Sequence, residues 1–450
     1  MTEPTWTSIQ KEISKKIGED VEVSAPINQG SGRNIHVTYL ITTGGHEIRR
    51  RYSDFQWLYS RLLVDIPGSC VPIIPHKRTA FSGEVQFSQT FVEERKVHLN
   101  RFMKGVFRIP HVKQDSPSLK VFLLAPIEEL ESKKREVEST NPSLVSMETD
   151  VEDIREAKRG IQNILAKAKT VTRNKLVHEE LVETENQERI AAIKAFTNCM
   201  EQHVKDILAA TGVLIQSTNE KLIAMNNFGT KIAEWKMTRD DFLDTVMGPD
   251  GRALDDHEEI SKMMSSVAFF SAQIEGHLSE QQIAEREKFE EALKLLSLDV
   301  QSLKVAIKTR KRIHVAFTAK QQQIQQQQKS IQNGKRDGVK LHAELTELEK
   351  ESSILQVKLE ESSNRVVSEA KRVRPYLEVK LKHAIRDFAK IQMEYAAKTI
   401  SSWSTLMPKL LDEGESFEIK LNGTVSTTST PLPTPTGTEK YLAPFAPPPP

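Results

Sequence analysis

Cysteine is nearly absent from this chain, as are long apolar runs. Cys70 and Cys199 are the two thiols among 450 residues, too few and too far apart for a disulfide framework, which favours a reducing, cytoplasmic compartment. No apolar run reaches the roughly 18 residues of a membrane-spanning helix. Residues 1–5 lack the basic-then-apolar pattern of a signal peptide. We therefore expect any membrane contact to be peripheral.

An excess of charge of one sign is missing too. The chain has 63 Lys and Arg against 62 Asp and Glu, a formal net charge of +1. No global field draws it to nucleic acid, so no nucleic-acid partner is expected. G-x-S-x-G, P-loop, H-E-x-x-H and zinc-type Cys/His spacings do not occur. The sequence therefore predicts no enzyme: no catalytic residue, no metal site and no cofactor.

A basic segment stands where a strand pattern changes to a helix pattern. Arg49, Arg50 and Arg51 follow an alternating apolar run and precede Tyr52. Guanidinium groups bind phosphate through charge-assisted, often bidentate hydrogen bonds, and a tyrosine face can pack on a ring. The same residues fit a solvated strand end followed by a helix N-cap. The segment alone does not decide between these alternatives.

Two motifs downstream of this basic segment support the phosphate-binding alternative. Residues 72–78 are proline-spaced, which favours an extended geometry that holds Lys77 at a fixed reach. Residues 88–107 have a helical pattern that carries Arg95. Three motifs at this order and spacing resemble a phox-homology (PX) domain of the sorting-nexin type over residues 21–124: Arg-Arg-Tyr-Ser-Asp-Phe, Pro-x-x-Pro-x-Lys and Phe-Val-Glu-Glu-Arg-Lys-x-x-x-Asn-Arg-Phe-Met.

The resemblance implies a binding site for phosphatidylinositol 3-phosphate. It implies that Arg51 grips the 3-phosphate and that Tyr52 packs against the inositol ring. It further implies that Lys77 meets the 1-phosphate and that Arg95 bonds the ring hydroxyls. All four residues of this family pattern are present.

The loop after Lys77 carries apolar residues that suggest a second membrane contact. Phe81, Val85 and Phe87 could insert into the lipid interface beside the headgroup site. They could equally cover the core of a small domain. Both alternatives remain open from the sequence.

The first part of the chain has the pattern of an α+β domain with a three-stranded sheet. Strand patterns occupy residues 21–24, 35–43 and 46–52, and helix patterns occupy residues 55–64, 88–107 and 116–124. We expect the PX domain to span residues 1–126 and a polar linker to span 127–143.

Beyond residue 143 the chain has an all-α pattern. Glycine and proline become rare, and apolar residues recur at spacings of four and three. One such seam comprises Phe289, Leu293, Leu296, Val300, Leu303 and Ile307. Breaks at residues 247–251 and 333–338 predict three long helices in an elongated antiparallel coiled coil over residues 144–412, kinked at Pro375. Residues 413–450, rich in proline and threonine, are expected to be a disordered tail that is either a spacer or an SH3-type ligand.

A long three-helix coil behind a PX domain resembles the BAR half of the PX-BAR sorting nexins. The resemblance implies a homo- or heterodimer that senses or induces membrane curvature through basic residues. The basic residues that could face the membrane are Lys304, Lys308, Arg310, Lys311, Arg312, Lys335 and Arg336. The alternative is a solvated face of the coiled coil.

The sequence therefore predicts a peripheral protein on the cytoplasmic face of early endosome membranes. It would recognise phosphatidylinositol 3-phosphate and act in endosomal sorting and intracellular protein transport, together with retromer-type or other sorting-coat proteins. The alternative function is a coiled-coil scaffold whose PX surface binds protein.

Overall fold

The computed structural model describes most of the chain. It covers residues 17–30, 36–74, 88–110, 112–140, 181–247, 255–332 and 338–411. The chain divides into two compact units. The first comprises Met1–Glu220 with Glu280–Met393, and the second comprises Lys221–Ser279 with Glu394–Pro450.

The sheet of the first unit has three antiparallel strands in the order β1-β2-β3. They are β1 (Val21–Gln29), β2 (His36–Thr43) and β3 (His46–Arg51). The register pairs Val23 with Ile41 and Thr38 with Arg51. Strand β1 extends beyond its predicted end because an irregularity between Ser24 and Ile27 absorbs a change of register.

Five helices accompany the sheet. They are α1 (Tyr52–Asp65), α2 (Gln89–Phe107), α3 (Val112–Asp115), α4 (Pro117–Leu124) and α5 (Ile127–Thr140). Ser88 and Ser116 are N-caps, because their side chains accept hydrogen bonds from Phe91 N and Leu119 N. Phe55 packs edge-on between Tyr39 and Phe122 in the core.

Helix α5 corrects the prediction of a polar linker after residue 126. Leu130 in its first turn is fully buried, so one face of this charged segment packs against the domain. Pairs such as Lys133 with Glu136 support the exposed face at helical spacing. The remainder of the predicted linker, residues 141–143, lies outside the described residues, as does the predicted tail.

The rest of the described chain is almost entirely helical. It contains α6 (Gln187–Phe242), α7 (Asp255–Ala284), α8 (Glu291–Gln332) and α9 (Gly338–Leu406). Single π-helical turns, Leu243–Met247 and Glu285–Glu290, follow α6 and join α7 to α8. Each predicted break thus falls between the end of one helix and the start of the next. All six residues of the predicted seam around Leu296 are buried.

Within the first unit, the sheet domain packs against α8 and α9. Gly68 N donates to Thr309 Oγ1 at 3.1 Å, and Cys70 N donates to Glu369 Oε2 at 3.2 Å. Arg101 pairs with Asp299 at 3.2 Å. These bonds link residues far apart in the sequence, so the domain is held on the long helices by specific contacts and not by its connection alone.

The second unit has its own packed side chains. Phe270 and Ile274 of α7 are buried, as is Leu406 of α9. The Lys409 ammonium lies 5.1 Å from the centre of the Phe270 ring. The closeness of Ser271 leaves no room for a side chain at Gly229. These contacts give the unit a core of its own.

Candidate functional site

The candidate site begins where β3 ends and α1 begins. Arg51 is the last strand residue, and its backbone N donates to Asp54 Oδ2 at 2.8 Å. Asp54 is fully buried, and its carboxylate caps the first turn of α1. The alternative of a helix N-cap is therefore part of the same arrangement that presents the Arg51 side chain.

Neighbouring arginines have opposite environments. Arg50 is 1% exposed, and its Nε donates to the carbonyl oxygen of Phe122 at 2.8 Å. Its Nη2 donates to the carbonyl oxygen of Ala125, and burial lowers the pKa of its guanidinium. Because side chains alternate along a strand, Arg51 points the other way. The Arg51 side chain remains 41% exposed.

An aromatic sandwich holds Arg95 beside this strand end. The Arg95 guanidinium lies 4.4 Å from the centre of the Tyr52 ring and 4.2 Å from the centre of the Phe91 ring. Tyr52 is 8% exposed. The Arg95 guanidinium thus covers one face of the Tyr52 ring, the ring that was predicted to pack against inositol.

Helix α5 contributes two residues, Glu131 and Lys134, that no local sequence pattern singled out. Glu131 Oε1 lies 2.7 Å from Arg51 Nη2 and 2.9 Å from Lys134 Nζ. Lys134 Nζ also contacts Asp54 Oδ1 at 2.5 Å. Burial raises the pKa of the Glu131 carboxyl, but the bonds from Lys134 and Arg51 more than offset this and leave the pKa lowered. Arg51, which was predicted to bind phosphate, is thus part of a charge cluster with Asp54, Glu131 and Lys134.

Several predicted site residues lie outside the described residues. They are Lys77, Phe81, Val85, Phe87, Lys335 and Arg336. Of the predicted headgroup quartet, the structure therefore describes Arg51, Tyr52 and Arg95, and it stacks Arg95 on the ring of Tyr52, the chain neighbour of Arg51.

The predicted basic patch on α8 needs one correction. Arg310 is 3% exposed, and it donates to Ser363 Oγ at 3.1 Å and to Thr184 Oγ1 at 2.9 Å. It is not available to a membrane, because its guanidinium is buried against Ser363 and Thr184. Lys304, Lys308 and Lys311 are exposed at spacings of four and three, while Arg312 is partly buried. Lys304 pairs with Glu201.

Among the helices that the structure describes, none combines the length and apolar character needed to cross a membrane. Within the same residues, no group of three or more His, Cys, Asp or Glu side chains is placed to hold a metal ion.

Comparisons with known proteins identify both halves of the chain. A family model described as the PX domain matches residues 39–126. Sorting nexin 1 of Arabidopsis thaliana is 25% identical over 408 residues, which are 87% of this chain and 92% of that protein. Sorting nexin-4 of Komagataella pastoris is 33% identical over 103 residues, but this match spans 21% of the chain and 16% of that relative.

A solved structure extends the comparison to the helical part. The cryo-EM structure of the SNX-BAR Mvp1 tetramer superposes with a TM-score of 0.56 at 15% identity, covering 86% of this chain and 99% of that one. At this identity the likeness concerns the fold. The chain therefore has a PX domain with a three-stranded sheet and a long helical region with the fold of a SNX-BAR protein, and along most of its length it is similar to PX-BAR sorting nexins.

Proposed function

We propose that this protein is a sorting nexin that is recruited to the cytoplasmic face of early endosome membranes by phosphatidylinositol 3-phosphate and acts there in endosomal sorting and protein transport. The observation that carries the proposal is the convergence of Arg51, Tyr52 and Arg95. Arg51 and Tyr52 are neighbours at the junction of β3 and α1, Arg95 of α2 stacks on the Tyr52 ring, and the Arg51 side chain is 41% exposed. The junction thus carries guanidinium groups and an aromatic ring, the chemistry that binding a phosphorylated inositol requires.

The energetics make Arg51 the residue to test. A charge-assisted hydrogen bond contributes about 1.5–3 kcal/mol, so losing one guanidinium reduces lipid affinity by roughly tenfold to a hundredfold. Arg95 is already ordered by two aromatic rings, so little side-chain entropy is lost when it bonds a ligand.

The helical region supports the second half of the proposal. Large apolar side chains are exposed on the isolated chain, as expected of a surface that a second copy or a related sorting nexin covers. They include Val213, Trp235, Phe242, Phe269, Ile385 and Met393. A dimer would place two headgroup sites and two sets of the exposed lysines of α8 on one membrane. Weak contacts then combine into stable, curvature-dependent binding, to which retromer-type or other coat proteins would attach.

The test is sedimentation of the full chain with vesicles that contain or lack phosphatidylinositol 3-phosphate, at two vesicle diameters. Arg51→Ala is compared with Arg108→Ala, which removes the same charge from an exposed position beyond the other end of α2. We expect lipid-dependent binding that Arg51→Ala abolishes and Arg108→Ala retains, and stronger binding to small vesicles. Binding that depends on neither the lipid nor Arg51 would favour the alternative, a scaffold whose PX surface binds protein.

A further inference from the structure

Helix α5 is docked on the PX domain right beside the phosphate site. Leu130 is fully buried, and its backbone N donates to the carbonyl oxygen of Pro126 at 3.1 Å. One turn later, Lys134 contacts the buried carboxylate of Asp54. An apolar anchor and an ion pair thus fix the first turns of α5, and the side chain between them, Glu131, is held toward Arg51.

Glu131 takes the position that a phosphate oxygen would need. Its Oε1 atom bridges Arg51 Nη2 at 2.7 Å and Lys134 Nζ at 2.9 Å. Phosphate and carboxylate oxygens accept the same charge-assisted bonds at the same distances. A phosphate bonded to the same Nη2 atom would bring its negative charge beside the Glu131 carboxylate, so the two anions compete for this nitrogen and phosphate binding there favours displacement of Glu131.

We infer that Glu131 is an affinity-setting residue of the headgroup site, an internal carboxylate that competes with phosphate for Arg51. This inference rests on the proposed function. The competition weakens binding of every anion by the same factor. Weakly bound anions then fall below useful affinity, while a dianionic phosphomonoester that also contacts Arg95 remains bound.

Displacement of Glu131 from Arg51 by phosphate also affects how α5 is held on the domain. When phosphate takes Arg51, Glu131 loses its bond to that arginine, and α5 loses one of its contacts with the domain, while Leu130 and the Lys134–Asp54 pair remain. By thermodynamic reciprocity, if docking of α5 weakens headgroup binding, headgroup binding weakens docking of α5 by the same factor. Occupancy of the lipid site is thereby transmitted to the segment that leads toward the long helices.

The test compares Glu131→Gln with Glu136→Gln in the full chain. Both changes remove one negative charge from α5, but Glu136 pairs with Lys133, whereas Glu131 pairs with Arg51. Affinity is measured for phosphatidylcholine vesicles with phosphatidylinositol 3-phosphate, for soluble inositol 1,3-bisphosphate and for inorganic phosphate. We expect Glu131→Gln to tighten binding of the headgroup about threefold to tenfold, as for a partly exposed ion pair released from competition, and Glu136→Gln to leave it unchanged.

Hydrogen exchange provides a readout that a merely structural role would not move. Adding inositol 1,3-bisphosphate should speed amide exchange in α5 of the wild-type chain and not in Glu131→Gln. Should Glu131→Gln not fold, Glu131→Asp keeps the charge but shortens its reach, and it is expected to tighten binding in the same direction.

The possible failures can be told apart. If the wild type binds the headgroup through Arg51 and Glu131→Gln binds no more tightly than Glu136→Gln, the competition is disproved and the proposed function stands. If the wild type binds neither the vesicles nor the soluble headgroup, the proposed function fails. Inorganic phosphate binding as tightly as the headgroup would indicate a simple anion site and also contradict the proposed function.

Discussion

Gly68 and Thr309 are joined by a buried hydrogen bond in which the glycine backbone N donates to the threonine Oγ1 at 3.1 Å. The contact holds the PX domain against α8, and it requires a close approach on both sides. Gly68 has a φ of +88°, and a Cβ atom there would overlap the carbonyl oxygen of Ser362 in α9. No residue other than glycine fits this position without moving the domain.

Gly68→Ala should therefore destabilise the chain. The left-handed backbone alone costs about 1–3 kcal/mol with a side chain present, and the overlap with Ser362 adds to it. Gly45→Ala is the matched control, because Gly45 has a φ of +76° but no atom within 4 Å of a Cβ. Chemical denaturation of both variants should show the larger loss for Gly68→Ala. Equal losses would mean that the contact with α9 contributes nothing.

Arg310 and Lys311 are adjacent in sequence, yet substituting the first should lower stability and substituting the second should lower membrane binding. Arg310→Gln removes bonds to Ser363 and Thr184 from a buried site, which should cost about 1–3 kcal/mol of unfolding free energy. Lys311→Gln removes an exposed charge, so stability should stay unchanged while binding to anionic vesicles falls several-fold. Thermal unfolding and vesicle sedimentation on the two variants separate the roles. A stability loss in Lys311→Gln would contradict this assignment.

His314 should make the helical core sensitive to acid. Its Nε2–H donates to the carbonyl oxygen of Val182 at 2.7 Å, and its Nδ1 accepts from Arg310 Nη1 at 3.2 Å. A proton on Nδ1 would therefore face a guanidinium. Burial, with a contribution from Arg310, lowers the pKa of His314 below 6.5.

Because the pKa of His314 is lowered in the folded chain, acid should destabilise the fold. The unfolded chain binds the proton more readily, so the contribution of the neutral ring is complete above pH 6.5 and declines as pH falls from there through the lower folded pKa, by at most about 1.4 kcal/mol per pH unit. The difference between the melting temperatures at pH 7.5 and pH 5.5 should be smaller in His314→Gln than in the wild type. Glutamine keeps a hydrogen-bond donor and an acceptor at this position. The same change at the exposed His383 should leave the pH dependence as it is in the wild type.

Val213 should report on dimer formation. It is 71% exposed on α6 in the isolated chain, so Val213→Glu should not destabilise a monomer. If a second copy covers this position, the buried carboxylate would separate the subunits. Light scattering should then show the mass fall from twice 51.0 kDa to 51.0 kDa. A monomeric wild type, or a variant that remains dimeric, would contradict the presence of Val213 in the interface.

Local patterns predicted much of the fold. The alternation of apolar residues predicted β2, because one face of that strand is buried. The helices predicted to begin at residues 88 and 116 are observed, and the hydroxyls of Ser88 and Ser116 cap their first turns. Spacings of three and four identified the buried seam around Leu296. In each case the signal and its physical cause lie within a few residues of each other.

What the sequence did not show depends on partners distant along the chain. Arg310 lies in a basic run, and only the positions of Thr184 and Ser363 show that it is buried. Glu131 follows Arg51 by 80 residues, and no local pattern links the two. The helix that carries Glu131 was missed for the same reason, since Leu130 is a single apolar residue whose burial depends on the whole domain.

The burial of Arg50 bears on how natural variants of this chain should be interpreted. Arg50 is buried, and its bonds to Phe122 and Ala125 fix the end of the strand from which Arg51 projects. Replacing Arg50 is therefore expected to disturb that strand end and to weaken the proposed lipid binding although Arg51 itself is retained. A change at residue 50 should thus resemble one at residue 51 in its effect on the proposed binding, but a reduced amount of folded protein should accompany only the former.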